Sequence, residues 1–246
     1  MTTAPLVRRE YDRGVAVLTL DSPHNRNALS ARLLAELTDA LAAAACHAPT
    51  RAVLLTHTGG TFCAGADLRE AGAADGPRRL VELLRTVAEL PKPVVAAVRG
   101  HARAGGLGLV AGCDIAVAGP GATFAFTEAR LGLAPAVISL PVLARAEPRA
   151  VARYFLTGET FGPQEAVGMG LVTALDGELE PVLDGLRAGS PQGLAESKAL
   201  ATEPLRRALD EFGSHVVAVS ARLFASDEAA EGMRAFLEKR KPSWTS

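Results

Sequence analysis

The sequence predicts an α/β protein: a layered core through about residue 175, then a helical C-terminal segment over about 185–240. Three observations carry this. Short β-rich apolar runs bounded by turn residues recur at 14–20, 51–57, 93–98, 114–119 and 123–126. Segments with apolar residues at helical spacing stand among them. After Pro181 the strand signals vanish, and Ala, Leu, Glu and Arg dominate.

"GVAVLTL" (14–20) reads as a buried strand that the turn cluster "DSPHNRN" ends. Ser30 is an N-cap candidate ahead of Leu33, Leu34, Leu37 and Leu41, which predicts a helix over 31–46. "RAVLLTH" (51–57) is a second strand. Leu80, Leu83, Leu84, Val87 and Leu90 predict a helix over 78–90 that Pro91 ends. "PVVAAV" is too short for a helix between Pro93 and Gly100, so it is a strand. "DIAVAG" and "TFAF" repeat that pattern around the turn "GPGA", and Val216, Val219 and Leu223 mark a helical stripe near the end. No internal repeat or low-complexity tract is visible.

Composition excludes several function classes. The 26 Lys and Arg nearly balance 27 Asp and Glu in 246 residues, with no block of five like charges. Neither a nucleic-acid partner nor a basic membrane face is indicated, and a small molecule is the expected partner. The mostly apolar run Leu131–Ala144 is broken by Pro135 and Pro141 and is too short for a membrane span. The N-terminus has no apolar signal region, and three cysteines without C-x-x-C spacing read as reduced thiols, so the expected location is cytoplasmic. The five histidines fit no metal-ligand frame, so no metal is expected.

Three stretches could carry chemistry. "ARAGGLGLVAGCD" (102–114) fails as a phosphate loop, since Gly106 and Leu107 stand where Lys and a hydroxyl belong. Gly106, Gly108 and Ala111 match a dinucleotide fingerprint, but the strand ending near Val98 leaves a loop where that motif needs a tight turn. "GGTFCAGADLRE" (59–70) follows a strand and is rich in small residues. Either both stretches are tight strand exits, or each aims a backbone N–H at one oxygen and together they form an oxyanion hole. Glu128, in "FTEARLGLAP", is either a solvated glutamate or one held at a pocket edge, where desolvation raises its pKa into the acid–base range.

In this order, "NALS" (27–30), "FCAGADLRE" (62–70), "KPVVAAVRGHARAGG" (92–106), "CDIAVA" (113–118), "FTEARLGLAP" (126–135) and "EGMRAFLEKRKPSW" (231–244) resemble the crotonase superfamily of enoyl-CoA hydratases and isomerases. The resemblance implies a spiral of β-β-α units, a core over 1–184 and a helical trimerisation segment over 185–246, assembled as a homotrimer or a hexamer of two trimers. It implies that the N–H groups of Ala66 and Gly105 stabilise a thioester enolate, that Glu128 handles a proton or positions water, and that Ala64, Ala66, Asp67, Leu68 and Arg69 lie along coenzyme A. Coenzyme A is then part of the substrate, and no separate cofactor is expected. Lys239 is either a ligand of a CoA phosphate or a solvated lysine.

Two departures matter. Gly108 stands where hydratases of this type carry a second glutamate, and Ala104 replaces a glycine common in that loop. One carboxylate leaves hydration, double-bond isomerisation and decarboxylation open, and a non-catalytic acyl-CoA binder is the competing class. The combination "GGLGL" with "EARLGLAPAVIS" is most similar to bacterial hydratases of the methylglutaconyl-CoA type, which favours hydration. Arg103, two residues before Gly105, either clamps a substrate carboxylate or makes a salt bridge at a loop or subunit interface. Residues 71–90 and 134–150 are the expected pocket walls.

Overall fold

The computed structural model describes residues 4–70 and 75–245. Residues 71–74 of the expected pocket wall, and the first three and last residues of the two predicted segments, lie outside that range.

Two parallel arrangements organise the chain. The larger sheet holds β1 (Val7–Asp12), β2 (Val15–Leu20), β3 (Ala52–His57), β5 (Val94–Val98), β7 (Ile115–Ala118) and β9 (Ala174–Leu175), in the order β1-β2-β3-β5-β7-β9. Only β1 runs antiparallel, pairing with β2 through the turn at Arg13 and Gly14, both at positive φ. The smaller sheet is β4 (Thr61–Cys63), β6 (His101–Arg103) and β8 (Thr123–Ala125), all parallel, with β6 in the middle.

The chain alternates between these sheets. Each of β3, β5 and β7 leads into a short strand of the smaller sheet, and a helix follows: α2 (Gly76–Glu89), α3 (Gly105–Gly112) and, after a 3₁₀ turn at Glu128–Leu131, α4 (Ala136–Arg145). This is the spiral of β-β-α units. All five residues of β5 are buried, as a parallel strand covered on both faces requires.

Before the spiral, α1 (Ala31–Cys46) has the predicted bounds. The Ser30 side chain accepts the Leu33 N–H, and Leu33, Leu34, Leu37 and Leu41 face the core. The α2 helix begins two residues earlier than its apolar spacing predicts, and Pro91 follows it. The largest correction concerns 102–112. It is not a loop after a strand ending at Val98, because β6 intervenes and α3 starts at Gly105.

Four helices close the chain: α7 (Leu179–Ala188), α8 (Pro191–Ala201), α9 (Glu203–Phe224) and α10 (Asp227–Leu237), preceded by α5 (Pro148–Thr157) and α6 (Pro163–Gly168). The 184/185 boundary falls inside α7, whose Leu179 and Leu183 pack with Val15, Val95 and Val117 of the larger sheet. The buried face of α9 is Leu205, Leu209, Gly213, Val216 and Ser220, so the stripe through Val219 and Leu223 is offset from the one that packs. Leu205, Leu209 and Val216 form one apolar cluster with Val81 and Leu84 of α2 and Val137 and Leu140 of α4. No helix among the described residues is long and apolar enough to cross a membrane.

Candidate active site

The three strands of the smaller sheet end together, and each hands its chain to one candidate group: β4 to Ala64–Gly65–Ala66, β6 to Ala104–Gly105, and β8 to Phe126–Thr127–Glu128. The carboxyl ends of parallel strands are where α/β folds hold ligands.

Ala66 and Gly105 meet. A Cβ placed on Gly105 would lie 3.7 Å from the Ala66 nitrogen, and one placed on Gly65 would lie 3.3 Å from the Gly105 nitrogen. Gly65 has φ +88° and Ala104 packs against it, so no other residue fits there without strain. Residues 26–29 hold this strip from its other side. Leu29 N–H donates to the Gly65 carbonyl at 2.8 Å, and Ala64 N–H donates to the Arg26 carbonyl at 3.1 Å. The buried Asn27 fixes that segment, its amide donating to the Thr58 and Thr61 carbonyls while its Oδ1 accepts the Ser22 N–H. Neither the Ala66 nor the Gly105 N–H finds an acceptor among the described residues. Gly105 also opens α3, whose first N–H groups and dipole favour negative charge.

The entry into α3 is strained. Ala104 has φ +47° and ψ −121°, a conformation that costs a residue with a Cβ about 1–3 kcal/mol. The glycine missing from this loop is thus missing where the backbone needs one. Ala104→Gly is expected to raise unfolding free energy by about 1 kcal/mol, read from urea denaturation. All eight residues of α3 are buried, and a Cβ on Gly106 would lie 2.6 Å from the Cys63 carbonyl oxygen, so the helix rests directly on β4.

Glu128 is only 8% exposed, and its Oε2 has no hydrogen-bond partner. Burial without a counter-charge pushes its carboxyl up to about 7. Buried polar atoms in native folds are almost always paired, so an orphaned carboxylate oxygen marks a group held ready for something else.

The remaining candidates are more dispersed. Asp67 is buried and accepts two bonds from the exposed Arg69 guanidinium, at 3.0 and 2.8 Å, which holds its carboxyl below the usual range. Leu68 is half-buried at the start of a 3₁₀ turn, and Ala64 is half-buried after β4. Arg103 is half-buried and donates to the Ala102 and Thr123 carbonyls and to Thr123 Oγ1. Lys239 follows α10 at positive φ, exposed, with no bond to residues 64–69.

One contact of α3 is not expected from the sequence. Ile138, in the first turn of α4, packs on Gly108 so closely that a Cβ there would lie 2.5 Å from Ile138 Cγ2. Its signals in the sequence, a place in the expected pocket wall 134–150 and in "EARLGLAPAVIS", do not point to Gly108.

Known proteins are similar to this chain in sequence and fold. Residues 10–246 match the family model described as enoyl-CoA hydratase/isomerase. A mitochondrial enoyl-CoA hydratase domain-containing protein 3 of Danio rerio is 32% identical, over 99% of this chain and 89% of its own length. The crystal structure of an enoyl-CoA hydratase from Mycobacterium avium superposes with a TM-score of 0.93 at 49% identity, covering 99% of this chain and all of that one. A carnitinyl-CoA hydratase from the same organism superposes at 0.85 with 27% identity, covering 99% of both chains. With the spiral of β-β-α units and the convergence of three strand ends, these matches establish that the chain belongs to the enoyl-CoA hydratase/isomerase family of the crotonase superfamily.

Proposed function

We infer that this protein forms and quenches a thioester enolate on an acyl-CoA substrate, adding water to, or removing it from, a 2-enoyl-CoA. The observation that carries this reading is Glu128, a buried carboxylate with one oxygen unpaired that follows the same small sheet as two backbone N–H groups without acceptors. In this reading Ala66 and Gly105 donate to the thioester oxygen. An oxyanion donor of this kind is worth about 10²–10³ in rate.

Glu128 serves as both base and acid. Its carboxylate takes a proton from water as the water oxygen bonds to C3, the π pair moves through C2 onto the thioester oxygen, and the resulting carboxylic acid protonates C2. A carboxyl near neutral pKa suits both halves of that cycle. Relatives named enoyl-CoA hydratase support water addition. A second reading, transfer of a proton between C2 and C4 that shifts the double bond between C3–C4 and C2–C3, is favoured by one observation: Ile138 fills the space beside Gly108 on α3 into which a second carboxylate would project.

The strip Ala64–Arg69, with Asp67 and Arg69 paired, lies along coenzyme A in this reading, and Lys239 is a ligand for its phosphate. Assembly into trimers or hexamers fits the exposed Phe212, Phe236, Leu237 and Trp244 of the C-terminal helices and tail. The deciding experiment assays 2-enoyl, 3-enoyl and carboxylated thioesters. Binding without turnover of any of them overturns the enzyme reading in favour of an acyl-CoA binder.

A branched, carboxylated acyl group is the narrower proposal, and Arg103 is its test. The guanidinium now bonds to strand carbonyls, so gripping a substrate would require it to release them. If it does, Arg103→Ala loses at least tenfold more kcat/KM on a glutaconyl-type thioester than on crotonyl-CoA. Equal losses remove the idea.

A further inference from the structure

The Ala66 N–H has no acceptor among the described residues, so its aim is set by whatever holds the peptide unit it belongs to. That unit runs from the Gly65 carbonyl to the Ala66 nitrogen. It is trans and planar, so its C=O and its N–H point in opposite directions. The Gly65 oxygen accepts the Leu29 N–H at 2.8 Å, and Leu29 and Ala66 pair as an isolated parallel bridge. What fixes the Leu29 N–H therefore also aims the Ala66 N–H.

Leu29 follows two consecutive residues in the left-handed region, Arg26 at φ +58° and Asn27 at φ +52°. Asparagine enters that region more readily than most residues with a Cβ. Asn27 is fully buried, and its amide donates to the Thr61 carbonyl at 2.8 Å and the Thr58 carbonyl at 3.2 Å, while its Oδ1 accepts the Ser22 N–H at 2.7 Å. Thr61 opens β4, the strand that ends at Ala64–Gly65–Ala66, so one side chain ties residues 26–29 to the strand they must align. Beyond Ala66, Ser22 Oγ donates to Asn25 Oδ1 at 2.8 Å, and Asn25 hydrogen-bonds the Asp67 carboxylate. The same segment thus grips the chain on both sides of Ala66.

We propose that Asn27 is a positioning residue for the oxyanion hole: by holding residues 26–29 against β4, it places the Leu29 N–H on the Gly65 carbonyl and so points the Ala66 N–H at the thioester oxygen. This rests on the enolate reading above and extends it to a residue that acts only through its neighbours. An oxyanion donor works over a narrow range, about 2.7–3.1 Å from the oxygen, and a misplacement of about 1 Å can cost about 10²-fold in rate. The Leu29 bond also polarises the peptide unit, which makes its N–H a stronger donor.

The test compares wild type, Asn27→Gly and Asn27→Asp. Glycine keeps the left-handed conformation and removes all three side-chain bonds, whereas aspartate keeps the acceptor for Ser22 and sets an oxygen against the Thr58 and Thr61 carbonyls. The infrared C=O stretch of a bound acyl-CoA, isotope-labelled at the thioester carbonyl, reports polarisation by the oxyanion donors. Deuterium uptake at C2 of a saturated acyl-CoA in heavy water reads enolate formation alone. Wild type is expected to lower the stretch relative to the free thioester. Each variant is expected to lose at least half of that lowering and to exchange deuterium at least tenfold more slowly, with acyl-CoA affinity within a fewfold of wild type. A purely structural role would lower the melting temperature but leave the stretch, and the exchange per folded molecule, as in wild type.

A folded Asn27→Gly or Asn27→Asp with the wild-type stretch and exchange overturns the proposal. Native-state hydrogen exchange of the wild type stands even if both variants fail to fold: a protected Leu29 N–H supports the proposal, and one that exchanges as freely as an open amide overturns it. A wild type that neither lowers the stretch nor exchanges a C2 proton overturns the enolate reading itself, and this proposal with it.

Discussion

Glu128→Gln is expected to lower turnover by about 10²–10⁴-fold while acyl-CoA affinity, read by calorimetry, stays within a fewfold of wild type. Glutamine keeps the shape of the side chain and removes its ability to carry a proton. The same substitution tests the environment of the carboxyl. Its pKa is about 7 in the fold and an ordinary 4.5 unfolded, so between those values the native state holds the extra proton. Stability from this group is complete below about pH 4.5 and is lost as pH rises through 7. By about pH 9 the cost reaches about 3 kcal/mol, so Glu128→Gln should unfold at higher urea than wild type there and show little difference near pH 4.5. A destabilised variant at pH 9 would mean that the carboxylate has a partner in solution. Wild-type deuterium uptake at C2, which needs the base form, should rise with pH through about 7 and then level.

Parts of this architecture were legible because they have both a period and a punctuation mark. The α1 helix has Ser30 at its start and leucines spaced over one face, and the structure keeps those bounds. The smaller sheet has neither. Its strands are three residues long, shorter than an alternating pattern needs in order to show. The β1 strand was also hidden, since it is an edge strand with five of six residues exposed and charges along it.

The α3 helix is the clearest case of tertiary context overriding local preference. "GGLGLVAG" has three glycines in its first four residues, each about 1 kcal/mol poorer than alanine in a helix, and burial on every side leaves no polar face. Close approach to β4 and α4 requires those glycines, which is why a poor helix former is helical here. The motif resemblance named Ala66, Gly105 and Glu128 as candidates, but the reason Glu128 is chemically unusual, burial with one oxygen unpaired, lies in packing between distant segments. Ile138 falls within the expected pocket wall 134–150, but its packing on Gly108 could not be read from the sequence, because it brings together positions 30 residues apart.

Lys198→Met is expected to cost about 3–5 kcal/mol of stability and to lower the melting temperature by roughly 6–20 °C. The Lys198 side chain is 3% exposed, and its ammonium donates to the Val87 carbonyl at 2.7 Å and the Lys92 carbonyl at 3.0 Å, with the Asp114 carboxylate at 2.9 Å. Burial pulls this amine below its ordinary pKa, and Asp114 opposes the shift. Methionine fills similar volume but leaves two carbonyls without a donor and the largely covered Asp114 carboxylate with only Arg145, 3.9 Å away, as a cation. Adding Asp114→Asn removes the stranded charge, so the double variant should be more stable than the sum of the single losses predicts, by at least about 1 kcal/mol in a double-mutant cycle. This cluster ties α8 to the N-terminal ends of β5 and β7, whereas Ala66, Gly105 and Glu128 follow the C-terminal ends of β4, β6 and β8. At temperatures where Lys198→Met is folded, kcat should therefore match wild type. A proportionate loss of kcat would mean that the helical tail reaches the strand ends of the candidate site through this ion pair.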